Sequence, residues 1–313
     1  IDHSSKIVFI GSCFSENISK KLSEVCIPEI SNPFGVVYNP ASLAATLNVL
    51  IENKEYTEKD LGFYNDLWFS WDHHSSFSGA KKYEVLQKIN DKIHKSASFL
   101  KRSNFLFLSF GTAWIYRLKE NQKIVSNCHK HPAAIFQREL LTVDHIVSEY
   151  SGLINKLKDD NRGINIIFTI SPVRHWKDGA HGNQISKSIL QLAVEEIVRN
   201  TDATAYFPSY EYLIDDLRDY RFYAEVLVHP NDQAIAYIWE KFSQSFFSDQ
   251  TPEINREILK IRQALSHRTM NESTSTSAKF KNYLEESIRE FQKKYPKIDI
   301  SELSETIKSN MEI

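Results

Sequence analysis

The chain has 313 residues, 38 Lys and Arg against 40 Asp and Glu, and a formal net charge of −2. That length holds one sizeable α/β core with room for an extra segment. The balanced charge argues against nucleic acid or an anionic membrane surface as the main partner. No run of about 18 or more apolar residues is present, so no membrane span is expected. The cysteines are Cys13, Cys26 and Cys128, too sparse a set for a disulfide framework, and reduced thiols make a cytoplasmic setting the expectation.

The run Ile7-Val8-Phe9-Ile10 is short, apolar and rich in β-branched residues, as suits a buried parallel strand. Gly11 permits a sharp turn out of it. Ser12 and Cys13 then precede a helix over 15–25, with Ile18, Leu22 and Val25 on one face. A helix N-terminus favours an anion, which implies a lowered thiol pKa at Cys13. The plain alternative is an ordinary Gly-Ser turn followed by a small buried Cys. Asn39-Pro40 opens a second helix, with Asn as N-cap and Pro at the first helical position, running to about Ile51.

Residues 67–71 alternate loosely as an edge strand, and 82–99 carry a helical spacing. A second buried strand, Phe105-Leu106-Phe107-Leu108-Ser109-Phe110, ends at Gly111-Thr112, and 114–125 alternate as a hairpin turning at Glu120-Asn121. Further on come a helix over 142–158, a third strand over 164–170 ending at Ser171-Pro172, and a helix over about 184–199. A short fourth strand at 204–207 follows, and His229-Pro230-Asn231-Asp232 caps a helix to about Phe247. Such alternation implies βα units and a mainly parallel sheet, whose sites form at the carboxyl ends of strands. Three such ends are polar: Gly11-Ser12-Cys13, Gly111-Thr112, and Ser171-Pro172-Val173-Arg174-His175. Neither GxGxxG nor GxxxxGK[ST] occurs, so no cofactor is expected. The α/β domain is read as residues 1–248. Residues 249–313 are read as a helical C-terminal extension, with a helix over 252–267, a Ser/Thr-rich linker near 270–278 and an amphipathic helix over 280–295.

A series of short motifs runs through residues 5–245. They are Gly11-Ser12-Cys13-Phe14, Asn32-Pro33-Phe34-Gly35, Ser70-Trp71-Asp72-His73-His74, Gly111-Thr112-Ala113-Trp114, Asn127-Cys128-His129-Lys130, Ser171-Pro172-Val173-Arg174-His175, Asp215-Asp216-Leu217-Arg218-Asp219-Tyr220-Arg221-Phe222-Tyr223 and His229-Pro230. In this order they resemble the GSCFA family, a distant branch of the SGNH (GDSL-like) hydrolases. The resemblance implies a three-layer α/β/α flavodoxin-like fold and chemistry on esters and acyl groups. It places Cys13 at the nucleophile position, Gly35 and Gly111-Thr112-Ala113 in the second and third oxyanion blocks, and His229 as general base. Three departures accompany it. Cys13 stands for Ser, which is chemically sound because a thiolate is a strong nucleophile. The third block lacks its Asn, leaving Thr112 or a backbone N–H as donor. Val226 stands three residues before His229, where the SGNH pattern has the Asp that orients the base.

Asp72-His73-His74 and Cys128-His129-x-His131 hold nitrogen and sulfur ligands of the kind zinc takes. Their spacing matches neither HExxH nor paired CxxC, so the expectation is a polar pocket wall with His73, His74 and His129 toward substrate, and no metal. Arg174-His175 suits a substrate carboxylate or phosphate, because guanidinium presents a planar fork. The alternative there is a salt bridge to Asp178 or to Asp215-Asp216. Two functional readings follow. One is a hydrolase or acyltransferase acting through an acyl-enzyme on a small-molecule ester, carbohydrate-linked esters among them, with Cys13 or Ser12 as nucleophile and His229 as base. The other is a binding protein for a carbohydrate or acylated ligand, its catalysis weakened at Val226.

Overall fold

A computed structural model of the chain describes residues 1–266 and 275–303. Two compact units are present, one of Lys6–Ser19 with Glu29–Glu240, the other of Ile1–Ser5, Lys20–Pro28 and Lys241–Ile313. In chain order the elements are β1 (Ile7–Gly11), α1 (Cys13–Glu24), β2 (Glu29–Ser31), α2 (Pro40–Glu52), β3 (Gly62–Tyr64), β4 (Leu67–Phe69), α3 (Lys82–Leu100) and β5 (Phe105–Phe110). Next come β6 (Trp114–Leu118), β7 (Ile124–Val125), β8 (Phe136–Leu140), α4 (Val143–Asp160), β9 (Asn165–Ile170), α5 (Gly179–Asn200) and β10 (Thr204–Phe207). The helical turn α6 (Ser209–Glu211), α7 (Asp232–Phe246), α8 (Thr251–Ser266) and α9 (Ser275–Lys294) complete the series.

The first unit is built on a parallel sheet of order β2-β1-β5-β9-β10. Numbered within the sheet this is 2-1-3-4-5, the flavodoxin-like order, whose switch point lies between β1 and β5. All five residues of β1 are buried, which requires cover on both faces. Val8, Ile10, Leu106, Leu108, Phe110 and Phe168 join one core with apolar residues of α2, α3, α4 and α5. Ile7, Phe9, Phe107 and Ile167, alternating with these, are buried as well, with the Phe9 and Phe107 rings stacked 4.8 Å apart. The sheet is therefore the middle of three layers. In the other unit, Ile258 and Ile261 of α8 pack with Phe291 of α9 and with Ile298, Ile300 and Leu303.

Most of the expected elements are present, with a few differences. The strand expected over 67–71 spans Leu67–Phe69 and pairs with β3 in a separate antiparallel hairpin, not at the edge of the main sheet. The 114–125 hairpin is real, with β6 antiparallel to β7, and it gains β8 as a third strand. α5 starts at Gly179 rather than near 184. In the linker expected near 270–278, residues 270–274 lie outside the described residues and 275–278 belong to α9. No helix among the described residues is long and apolar enough to cross a membrane.

Candidate active site

The turn after β1 is set by backbone geometry. Gly11 has φ +148°, and a Cβ there would stand 2.2 Å from the carbonyl oxygen of Ser109 on the neighbouring strand. Its amide donates to Asn32 Oδ1 at 2.9 Å and its carbonyl accepts from Val37 N at 3.0 Å. Ser12, 1 % exposed, pairs its hydroxyl with Ser109 Oγ at 3.0 Å and accepts from the Phe14 amide at 3.3 Å. Ser12 is thus turned inward as a structural cap, while Cys13 opens α1, half-buried, at the carboxyl end of the strand beside the switch point.

His229 arrives from a tight loop before α7. Leu227 N donates to Ala224 O and Ala224 N to His229 O, both at 2.8 Å, and Tyr223 and Pro230 form a bridge. Leu227 takes a left-handed φ of 53°, uncommon for a branched residue. The loop is also tied to the end of β9, through Arg174 N donating to Val228 O at 3.1 Å. As a result the His229 ring, 216 residues away in sequence, sets its Nδ1 3.5 Å from Cys13 Sγ. No carboxylate pairs with His229 among the described residues, and Val226 is 68 % exposed.

The thiol environment differs from the expectation of a lowered pKa. Burial, then the Glu16 carboxylate, push the Cys13 pKa up, opposed by the Cys13 and Phe14 amides and by Lys187. Desolvation of a thiolate outweighs the helix N-terminus here, so the resting group is the thiol.

Lys187, on α5, was invisible to the sequence reading and is 1 % exposed. Its Nζ donates to Gly111 O and to Ser171 O, both at 2.7 Å, clasping the carboxyl ends of β5 and β9. Burial holds its pKa down to about 7, offset in part by Cys13 and Glu211. Because the folded value lies below the ordinary 10.5, unfolding takes up a proton between the two, so the fold gains stability as pH rises from about 7 toward 10.5. Each pH unit in that window is worth up to about 1.4 kcal/mol. Melting curves of wild type and Lys187→Met are therefore expected to diverge in favour of wild type from pH 7 to pH 10. A constant difference would show that the ammonium keeps its ordinary pKa.

The remaining expected site residues fall into two groups. His175 lies at the end of β5: a side chain at Gly111 would meet its Nε2 at 3.2 Å, and its ring lies edge-on to Tyr38 at 5.6 Å. Burial, then the charges of Lys187, His229 and Arg138, hold its pKa down to about 3, so it is neutral. Arg174 makes no ion pair among the described residues; Asp178 pairs with Arg138, and Asp215 with Arg218. The salt-bridge alternative for Arg174 therefore falls.

The second group is engaged elsewhere. The Gly111 and Thr112 amides both donate to Tyr38 O, at 2.7 and 3.0 Å, and the Thr112 hydroxyl pairs with Ser186 Oγ at 3.0 Å. The Gly35 amide donates to Asn32 O at 2.7 Å, and a Cβ at Gly35 would meet His74 Cβ at 2.3 Å. Gly35 borders a cleft of about 650 Å³ against Glu16 and the α3 residues Glu84, Lys88 and Asp91, which neither Cys13 nor His229 lines. His73 is fully buried and stacked on Phe34 at 4.1 Å, and that burial holds its pKa down to about 3. It is a core side chain and not part of a pocket wall. His74 Nδ1 caps the turn at Ser76, and His129 bonds Ser70 O at 2.8 Å and Ser78 Oγ at 3.5 Å. Among the described residues no three His, Cys, Asp or Glu side chains gather as a metal site.

No curated protein matches the sequence. Among solved structures, a carbohydrate esterase family 3 protein from Talaromyces cellulolyticus is similar at 7% identity and a TM-score of 0.38, over 82% of this chain and 99% of that one. The acetyl xylan esterase Est2A from the rumen bacterium Butyrivibrio proteoclasticus is similar at 10% identity and a TM-score of 0.41, over 78% of this chain and 64% of that one. The GSCFA family profile matches residues 6–242, and that of the GSCFA domain protein, C-terminal domain, matches 258–313. With the first match alone spanning more than half of its length, the chain belongs to the GSCFA family.

Proposed function

We propose that the protein is a hydrolase or acyltransferase that works on esters through an acyl-enzyme on Cys13. The observation that carries this reading is the 3.5 Å approach of His229 Nδ1 to Cys13 Sγ at the carboxyl end of β1. His229 takes the thiol proton as sulfur attacks the ester carbonyl, and returns it to the departing alkoxide. Water, or a second hydroxyl or amine, then releases the acyl group. The Cys13 amide, at the N-terminus of α1, is the donor assigned to the developing oxyanion. The kinship with SGNH hydrolases belongs to this reading, with Cys13 in the serine's place.

A second reading, a binding protein for an acylated or carbohydrate ligand, is favoured by the lack of a carboxylate at His229 among the described residues and by the exposed Val226. Mass mapping after a short exposure to 4-nitrophenyl butyrate separates the two. Acyl enzyme on Cys13 in wild type and Ser12→Ala, absent in Cys13→Ala, is the expected result. Adduct on Ser12 would move the nucleophile by one residue, and no adduct on either would leave the binding reading.

A further inference from the structure

The first unit presents Arg174 in an arrangement unlike that of its other well-partnered arginines. Arg117 and Arg138 are matched with Glu139 and Asp178, whereas Arg174 makes no ion pair among the described residues. Its guanidinium lies 4.2 Å from the Tyr223 ring centre and 5.4 Å from those of Trp176 and Tyr220. Trp176 and Tyr220 are 43 % and 61 % exposed, so this aromatic cluster is at the surface. Stacking occupies the flat faces of a guanidinium and leaves N–H groups at its edge to bond in the plane. Two of the cluster's residues are fixed to the catalytic loop. Arg174 N donates to Val228 O, next to His229, and Tyr223 bridges Pro230, which follows it. The backbones that carry the cation and one of its rings are therefore tied to the loop that carries His229.

We propose that the ester recognised at Cys13 carries an oxyanion, a carboxylate or a phosphate, which Arg174 binds. This rests on the acyl-transfer reading and names the substrate class for it. Leaving a positive side chain without an acidic partner, in a cluster otherwise built of aromatic rings, is what a site for a charged ligand requires. The same rings give the rest of the substrate an apolar bed. A planar fork would take a carboxylate in bidentate fashion, and a phosphate through two of its oxygens.

The test has two arms. The first follows alkylation of Cys13 by iodoacetamide, which needs no acyl chemistry, with glutarate, inorganic phosphate or neutral dimethyl glutarate present. Glutarate or phosphate is expected to slow labelling of wild type while the neutral diester does not, and Arg174→Gln is expected to lose that protection. Glutarate and phosphate tested separately distinguish the two oxyanions. In the second, kcat/KM for 4-nitrophenyl hemiglutarate is compared with that for 4-nitrophenyl butyrate. The anionic ester is expected to be preferred about ten-fold or more in wild type, through KM, as a charge-assisted hydrogen-bonded pair would give. That preference is expected to collapse in Arg174→Gln. Absence of anion protection in wild type, or equal protection in both proteins, overturns the proposal. Protection without turnover of either ester keeps the Arg174 subsite and removes the acyl-transfer reading instead.

Discussion

Replacing His229 with alanine is expected to slow acylation of Cys13 by about 10²- to 10⁴-fold at pH 7, the range of a general base. The reason lies in the thiol. Burial and Glu16 raise its pKa above the ordinary value, so at neutral pH sulfur attacks only if something takes its proton, and Nδ1 of His229 is the group 3.5 Å away. The same reasoning fixes the pH dependence. As pH climbs through the raised thiol pKa, the thiolate forms without help and the variant catches up with wild type. Pre-steady-state release of 4-nitrophenol from pH 6 to pH 10 measures both effects. Equal rates at pH 7 with superimposable pH profiles would remove His229 from the mechanism.

The second large effect belongs to Gly11→Ala. At φ +148° a side chain is strained whatever space it has, and here the Cβ would sit 2.2 Å from a backbone oxygen of β5 that cannot move without breaking the sheet. Strain of this kind and the clash together are expected to cost about 3 kcal/mol or more. Gly152, on the exposed side of α4 with nothing within 4 Å of its Cβ position, is the matched control. Gly152→Ala is expected to stabilise by about 0.5–1 kcal/mol. Urea unfolding of the two variants reads out both. A Gly11→Ala protein as stable as wild type would mean that the turn is not held as described.

Much of this architecture is legible in the sequence, for a physical reason. Strands buried on both faces must be continuous apolar runs, and β1, β5 and β9 are such runs ending in small polar residues. Strands lacking that signature escaped. Glu29-Ile30-Ser31 offers a single apolar residue, and β8, Phe136–Leu140, is mostly polar because only its first residue is fully buried. The pairing of Cys13 with His229 was accessible only through the family's ordered motifs, since no periodicity links residues so far apart. Lys187 was not accessible at all. Between Ser186 and Ser188 it reads as part of a solvated helix face, and its burial follows from where α5 meets the ends of β5 and β9. The histidines misled for a related reason. His73 and His129 stand among polar residues in sequence, yet aromatic neighbours distant in sequence enclose them.

The order of the central sheet also decides when the reactive turn takes shape as the chain is made. β1 has β2, close by in sequence, as one neighbour, but its other neighbour is β5, with Ile7 opposite Phe105 and Gly11 opposite Ser109. Contacts of such long range are slow to form. The chain between them must leave the ribosome, at roughly 5–20 residues per second, before Ser109 can clamp the turn. His229 follows later still. Through that interval Cys13 is an unpaired thiol without its base, and the site cannot be complete until the loop just before α7 has been made.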